Sequence, residues 1–204
     1  MRTSSLLAPF ALALLLVIGS PVHADDDTPK DAAKTAQADK DSKKDELPIP
    51  PERSVVSKHS VRIDGRAIAY KATAGTLLIK DDKGKPTVSM FYVAYTVDDG
   101  KAGKRPVTFM YNGGPGSSTM WLHMGSFGPV RVANRGDQPI PPPPYDTVPN
   151  EYSLLDKTDL VFIDAPGTGW SQLVGAAKGK DYYGVDQDAA AFAKFITRYV
   201  GDNH

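Results

Sequence analysis

Three segments in the first half of the chain alternate between apolar and polar residues. They run from Ser54 to Ile63, from Ala67 to Ile79 and from Thr87 to Val97, and they are rich in Val, Ile, Tyr and Thr. Short polar turns separate them, first Asp64-Gly65 and then residues 81–86. A period of two that is interrupted by turn residues is typical of strands joined by hairpins. The pattern predicts an antiparallel meander.

Two later segments are short and continuously apolar, and each ends in a loop rich in Gly and Pro. They run from Val107 to Tyr111 and from Asp159 to Ile163. Continuous apolar runs are typical of parallel strands that are buried on both faces. We therefore predict an α/β fold in which antiparallel amino-terminal strands lead into a parallel central sheet.

The last periodic segment, Val185 to Val200, has apolar residues at helical spacing behind a candidate N-cap, Asp186. Its apolar positions are Ala189, Phe192, Ala193, Phe195, Ile196, Tyr199 and Val200. The spacing predicts a helix whose aromatic residues pack in the core.

The amino terminus has the three-part pattern of a secretory signal peptide. Arg2 precedes an almost wholly apolar run from Leu6 to Ile18, and Val22-His23-Ala24 offers small residues at the positions that a signal peptidase reads. We predict cleavage after Ala24, with an uncleaved anchor as the alternative. The apolar run is short for a membrane span, and the chain has no cysteine that could be lipidated.

Residues 25–53 have the composition of a linker. Residues 25–46 contain no aromatic or large aliphatic side chain, so they have too little apolar surface to offset the entropy cost of folding. A transient helix is the alternative for this segment. Leu47-Pro48-Ile49-Pro50-Pro51 then extends the chain. We predict a signal peptide over residues 1–24, a disordered charged and Pro-rich linker over 25–53, and an α/β domain over 54–204.

Composition excludes several classes of function. The 24 basic and 24 acidic residues balance, which argues against a nucleic-acid-binding surface. The chain contains no cysteine, so disulfides, thiolate zinc sites and a cysteine nucleophile are excluded. Since small exported domains of eukaryotes usually carry disulfides, we expect export to a bacterial periplasm or to the cell exterior. No cofactor and no stable membrane anchor are indicated.

Two Gly-rich loops follow the two continuously apolar runs. The first is Asn112-Gly113-Gly114-Pro115-Gly116-Ser117-Ser118, and the second spans residues 164–171, Asp-Ala-Pro-Gly-Thr-Gly-Trp-Ser. Paired glycines let the backbone approach a ligand and turn successive N–H groups to one side, which favours an anion. Ligands of α/β proteins gather at such strand ends. Two plain Gly-Pro turns remain the alternative interpretation.

Other chemistry finds little support in the sequence. No Gly-Lys-Ser/Thr follows the glycines, and neither loop has the Gly-x-Gly-x-x-Gly spacing of a dinucleotide site. His59, His123 and His204 are too scattered along the chain to suggest a metal site. No Gly-x-Ser-x-Gly pentapeptide, the nucleophile elbow of serine hydrolases, occurs anywhere in the chain.

Four blocks of sequence nevertheless resemble, in order, the amino-terminal half of the serine carboxypeptidase family of α/β-hydrolases. They are residues 112–118, Gly128-Pro129, Asn150-Glu151-Tyr152-Ser153 and residues 162–171, within a resemblance that spans roughly residues 107–200. The resemblance implies a serine exopeptidase whose partner is a peptide with a free carboxy terminus. It also implies that Asn112 and the Gly113 amide bind the substrate carboxylate, and that the Gly114 amide contributes to the oxyanion hole.

The chain departs from the pattern of that family in three respects. Ser117 stands where many relatives have a disulfide-forming cysteine, and the loop after Ile163 is one residue shorter than the common Asp-x-Pro-x-Gly-x-Gly. By the resemblance, the nucleophile of a Gly-Glu-Ser-Tyr-Gly motif and the Asp and His of the triad lie beyond His204. We therefore predict that these residues are a fragment, inactive and poorly folded alone, with either Leu160 to Ile163 at an unpaired sheet edge or an uncovered apolar helix face.

Two other functions stay open on the sequence alone. The first is a fragment of another α/β-hydrolase, such as an esterase or aminopeptidase with the same oxyanion loop. The second is a non-catalytic module in which the Gly-Gly loop holds an anion or a peptide. The sequence does not indicate an oligomeric state.

Overall fold

The computed structural model describes residues 46–99, 104–113, 116–133, 136 and 142–203. The predicted signal peptide, most of the predicted linker, Gly114 and His204 lie outside this part of the chain. Within it, strands and short helical turns precede a long carboxy-terminal helix. The strands are β1 (Ser54–Ile63), β2 (Arg66–Lys80), β3 (Pro86–Val97), β4 (Val107–Met110), β5 (Val130–Val132), β6 (Thr147–Pro149), β7 (Asp159–Ile163) and β8 (Gln172–Leu173).

The helical elements are mostly short. Helix α1 (Met120–Leu122) runs directly into a π-helical turn, His123–Phe127, and 3₁₀ turns cover Leu154–Asp156 and Gly179–Asp181. Helix α2 (Val185–Asn203) is the long one. None of the helices in the described ranges is long and apolar enough to cross a membrane.

The predicted meander is confirmed. β1 pairs with β2 and β2 with β3, both antiparallel. Asp64 and Gly65 form the first turn with φ of 47° and 74°, so both central residues are left-handed, as a two-residue turn between twisted strands requires. The local Asp-Gly signal therefore set the register of this hairpin.

The two continuously apolar segments lie side by side and parallel. β4 pairs with β7 from Val107↔Asp159 to Met110↔Phe162, and β7 pairs antiparallel with β3 from Tyr92↔Ile163 to Tyr95↔Leu160. Among the described strands the main sheet has the order β1-β2-β3-β7-β4, with β8 on β3, while β5 and β6 form a separate pair. The fold is thus mixed α/β with a mostly antiparallel sheet.

Two details of the strand prediction are wrong. β7 is fully buried and paired on both sides, so the run Leu160 to Ile163 is not a sheet edge. β4, which we expected to be buried on both faces, is only partly buried except for Met110, because it is the last strand in the order within the described residues. Strand order depends on distant pairing, which local apolar runs do not encode.

Both faces of the main sheet carry a core. Helix α2 covers one face, so its apolar side is not left uncovered, and Phe195 at its centre is 0% exposed. This face joins residues of β2, β3, β7 and α2, namely Leu77, Ile79, Val88, Met90, Tyr92, Ala94, Val161, Ile163, Ala191, Phe192, Phe195 and Tyr199. Burial of a side chain such as Phe195 stabilises the fold by about 2–3 kcal/mol.

The opposite face holds a second cluster, Val61, Ile63, Tyr70, Tyr95, Met110, Leu155, Leu160 and Phe162.

The predicted helix and its buried aromatic residues are confirmed. The predicted apolar face is too wide, and the predicted N-cap is wrong. Phe192, Phe195 and Tyr199 are buried as expected, whereas Ala189, Ala193 and Val200 are exposed. Asp186 lies in the first turn instead of at the N-cap, where its charge still favours the positive end of the helix dipole.

The segment that enters the fold lies against it. Leu47 forms an antiparallel bridge with Gly175, with N–O distances of 2.7 and 3.0 Å. The backbone oxygen of Arg53 accepts a hydrogen bond of 2.9 Å from Thr76 N. The described end of the predicted linker is therefore held at both of these points.

Candidate functional site

The first Gly-rich loop begins where β4 ends and is closed by its own side chains. Asn112 Nδ2 donates to Ser117 Oγ at 2.5 Å and to the Gly113 carbonyl at 3.3 Å. Asn112 N donates to Thr119 Oγ1 at 3.1 Å. A Cβ atom built on Gly113 would meet no heavy atom within 4 Å, so that side of the loop is open to a ligand.

The second Gly-rich loop begins where β7 ends and wraps around a buried carboxylate. Asp164 Oδ2 accepts a hydrogen bond from Trp170 N at 3.0 Å, and Ser171 Oγ donates to the Asp164 carbonyl at 2.8 Å. Ser171 Oγ also accepts from Phe91 N at 2.8 Å, which fastens the loop to β3. Gly167 and Gly169 have φ of 74° and 51°, which allows the tight turn around Asp164.

The structure brings the two predicted loops together. β4 and β7 are parallel neighbours, so their carboxyl ends, and the loops that follow, meet at one edge of the sheet. Asp164 Oδ1 accepts a hydrogen bond of 2.8 Å from Thr119 N and so links the second loop to the first. A cavity of about 270 Å³ lies between them, lined by Phe91, Val93, Ser118, Thr119, Met120, His123, Phe162, Asp164, Gly169 and Trp170.

A histidine at this cavity is neutral and packed. His123 Nε2 lies 2.5 Å from Tyr95 Oη, and its ring stacks on Phe162 with centroids 4.7 Å apart. Burial lowers the pKa of His123 to about 4, and the smaller effect of the Asp164 charge opposes this shift. Within the described ranges no group of three His, Asp or Glu side chains is placed to hold a metal ion.

Two further sequence blocks hold the turn that follows the first loop. The side-chain Nδ2 of Asn150, which is 1% exposed, donates to the carbonyls of Ser126 at 2.6 Å and Gly128 at 2.8 Å. Ser153 Oγ donates to the Phe127 carbonyl at 2.8 Å. These blocks thus fix the π-helical turn, a contact across more than twenty residues that the sequence did not reveal.

Exposed aromatic and apolar side chains surround the loops. Trp170 is 73% exposed, Trp121 is 65% exposed and Met120 is 54% exposed. Tyr111 stacks on Phe192 of α2 with centroids 4.0 Å apart. Met120 and Trp121, which come one residue after the first Gly-rich motif, carried no signal in the sequence, whereas Trp170 belongs to the second predicted loop.

A serine and a histidine do pair elsewhere in the molecule. Ser57 Oγ lies 2.7 Å from His59 Nε2, but both residues are exposed on β1, at the opposite end of the sheet order from β4. At the loops the structure places the open backbone of Gly113, the side-chain amide of Asn112 and a largely apolar cavity, whose one carboxylate, Asp164, is occupied by two backbone N–H groups. Such a site can bind and orient an anionic group beside apolar substituents.

Comparison with known proteins gives this geometry a context. The family model described as serine carboxypeptidase matches residues 65–203. Two relatives are the proteins named pheromone-processing carboxypeptidase KEX1 of Saccharomyces cerevisiae strains S288c and JAY291. Each is 33% identical over 123 residues, which cover 59% of this chain and 16% of the relative. The chain thus spans only a small part of the length of these curated relatives.

Proposed function

Because this chain belongs to the serine carboxypeptidase family, we propose that it forms the carboxylate-binding part of a serine-type carboxypeptidase. Such an enzyme removes carboxy-terminal residues from peptides through an acyl-enzyme. The observation that carries the proposal is the meeting of the two Gly-rich loops at one sheet edge, inside the residues that the family model matches. The peptide substrate with a free carboxy terminus is part of the proposal.

The fold supports the proposal at the level of strand order. The parallel pair β4–β7, with α2 packed on one face, suits the amino-terminal part of an α/β-hydrolase. In such folds ligands bind at the carboxyl ends of the strands, which is where the loop after β4 lies. We therefore propose that the described sheet is the first part of an α/β-hydrolase domain.

Each motif residue has a proposed role. Asn112 and the Gly113 amide bind the terminal carboxylate of the peptide, since amide N–H groups bond strongly to an ionised acceptor. The approach to Gly113 is open, and Asn112 Nδ2, which bonds Ser117 Oγ and the Gly113 carbonyl here, exchanges one of these partners for the carboxylate. The Gly114 amide contributes to the oxyanion hole, where a preorganised donor is worth about 3 kcal/mol in the transition state.

The nucleophile is proposed from the resemblance. The chain has no Gly-x-Ser-x-Gly pentapeptide, and the serine, the Asp and the His of the triad are taken from the family resemblance. We propose an in-frame Gly-Glu-Ser-Tyr-Gly within a few tens of codons after His204. Sequencing the gene beyond that codon tests this directly, because the absence of the motif from the reading frame would contradict the proposed enzyme.

Activity of the protein expressed from the complete gene gives the second test. We expect hydrolysis of amino-terminally blocked dipeptides with a free carboxylate, and much slower hydrolysis of their carboxamides. The Asn112→Ala variant should raise KM for the free acid about tenfold and leave kcat nearly unchanged, since uniform binding energy is lost. Cleavage of simple esters without cleavage of free-acid peptides would instead favour an esterase.

Export is proposed from the amino-terminal sequence alone. The signal-like pattern of residues 1–24 supports transfer to a bacterial periplasm or the cell exterior, with cleavage after Ala24. Amino-terminal sequencing of the protein from the culture medium or periplasmic fraction should begin at Asp25. A chain that stays with the cytosolic fraction and begins at Met1 or Arg2 would contradict it.

A further inference from the structure

Thr119 lies at the junction of the two loops and bonds to both. Its Oγ1 donates to the Ile163 carbonyl at the end of β7 and accepts the hydrogen bond of 3.1 Å from Asn112 N. Its backbone N donates to Asp164 Oδ1 at 2.8 Å. Thr119 is only 3% exposed. One buried residue thus connects the start of the first loop to the start of the second.

The position of Thr119 would ordinarily give its hydroxyl a different task. Thr119 is the N-cap of α1, where a threonine oxygen usually accepts a hydrogen bond from an amide of the first helical turn. Here its side chain makes no capping hydrogen bond. The hydroxyl is directed at the loops instead, so capping does not explain the residue.

Asp164 holds Thr119 in place and has little room to move. Its two carboxylate oxygens accept backbone hydrogen bonds from Thr119 and Trp170. A Cβ atom added at Gly169 would collide with this carboxylate and would approach Ser118 Cβ to 2.9 Å. The backbone therefore fits closely around Asp164, and the carboxylate transmits its position to Thr119.

From these contacts we infer that Asp164 and Thr119 are positioning residues, which fix Asn112 and thereby set the affinity of the first loop for a peptide carboxylate. The inference rests on the proposed function, in which Asn112 binds that carboxylate. The path runs from Asp164 Oδ1 to Thr119 N, and from Thr119 Oγ1 to Asn112 N. Neither Asp164 nor Thr119 needs to touch the peptide.

Peptide binding to the full chain, measured from shifts of the backbone amide signals in NMR spectra, tests the inference. The probes are an amino-terminally acetylated dipeptide with a free carboxylate and the same dipeptide as its carboxamide. The Thr119→Val variant removes the hydroxyl but keeps the branched shape, and should weaken binding of the free acid about fivefold, the effect of one net hydrogen bond. Carboxamide binding should not change. The Thr119→Ser variant restores the hydroxyl and should bind within about twofold of the native chain.

Controls separate this inference from the proposed function. The Asn112→Ala variant should lose the preference for the free acid. If the native chain and Asn112→Ala bind acid and carboxamide alike, the proposed function fails and the inference with it. If Asn112→Ala loses the preference while Thr119→Val keeps it, the inference alone is overturned.

A second variant keeps the inference testable if Thr119→Val does not fold. Asp164→Asn keeps the side-chain size but sets an amide NH₂ group against one of the two backbone N–H donors. It should weaken binding of the free acid about fivefold, whereas Asp82→Asn, the same change at a fully exposed aspartate of the turn between β2 and β3, should not. Native affinity in a folded Asp164→Asn chain would overturn the inference.

Discussion

Arg198 of helix α2 forms a bidentate ion pair with the carboxylate of Glu52 through its two Nη atoms. Nη1 lies 2.5 Å from Oε1 and Nη2 lies 2.7 Å from Oε2. Leu78 N of β2 donates to the same carboxylate at 2.6 Å, and Arg198 Nη1 also donates to the Leu78 carbonyl at 3.0 Å. One ion pair therefore joins the segment that precedes β1, strand β2 of the meander and helix α2.

Replacing Glu52 by Gln should lower the free energy of unfolding by about 1 kcal/mol, the upper range for a partly exposed ion pair. Burial raises the pKa of Glu52, but the hydrogen bonds from Arg198 and Leu78 and the nearby positive charges outweigh it, so the folded pKa lies below its usual value. The stabilisation is therefore present at neutral pH and is lost as the pH falls through the folded pKa. Urea denaturation at pH 7 and pH 3 checks this, with the exposed Glu46→Gln as control.

His123 should make the fold less stable in mild acid. Its folded pKa is about 4 and its ordinary value is 6.5. Between these values the unfolded chain binds the proton more readily, so stability is complete above the higher value and falls towards the lower one. Chemical denaturation at several pH values should reveal this slope. His123→Gln should flatten it, whereas His59→Gln, at an exposed histidine, should leave it intact; equal slopes in both variants would contradict the assignment.

Asn150→Ala should cost about 3 kcal/mol of stability. The change removes both donors from the carbonyls of Ser126 and Gly128, and an unsatisfied buried polar group costs about 1–3 kcal/mol. Asn203→Ala is the matched control, because Asn203 Nδ2 donates to the Tyr199 carbonyl at 2.9 Å from an exposed position. The Asn203→Ala variant should lose less than about 0.5 kcal/mol of unfolding free energy. Thermal or urea unfolding that gives similar losses for both would be the contrary result.

Gly169→Ala should destabilise the chain more than Gly65→Ala. Both glycines have positive φ, 51° and 74°, so both substitutions introduce backbone strain of about 1 kcal/mol. A Cβ at Gly65 meets nothing within 4 Å, whereas one at Gly169 collides with the Asp164 carboxylate. The difference between the two unfolding free energies isolates the collision, and we expect it to exceed about 1 kcal/mol. Equal losses would mean that the second loop relaxes freely.

Local chemistry explains which parts of the fold the sequence predicted. Alternation and the Asp64-Gly65 turn defined the hairpin β1–β2, and continuous apolar runs found β4 and β7. Helical periodicity found the buried aromatic residues of α2 but overestimated the width of its apolar face. The insertion of β7 between β3 and β4 depends on pairing between distant segments, and no local pattern carries that information.

The sequence also predicted part of the candidate site. The two loops and their position at strand ends followed from glycine chemistry and apolar runs. The linking role of Asp164 did not, because its carboxylate bonds the amide of Thr119, far away along the chain. The same holds for Asn150, which sequence analysis placed in a motif without a role.

The strand order also has a consequence for synthesis on the ribosome. β3 and β4 leave the ribosome before β7, which pairs with both of them but follows roughly fifty residues after β4. Bringing β7 back to these strands closes a long loop, which is slow. Until β7 arrives, the inner edges of β3 and β4 lack a pairing partner, and such edges are prone to aggregation. The edges of β3 and β4 are therefore open to wrong pairing in the emerging chain until β7 has been made.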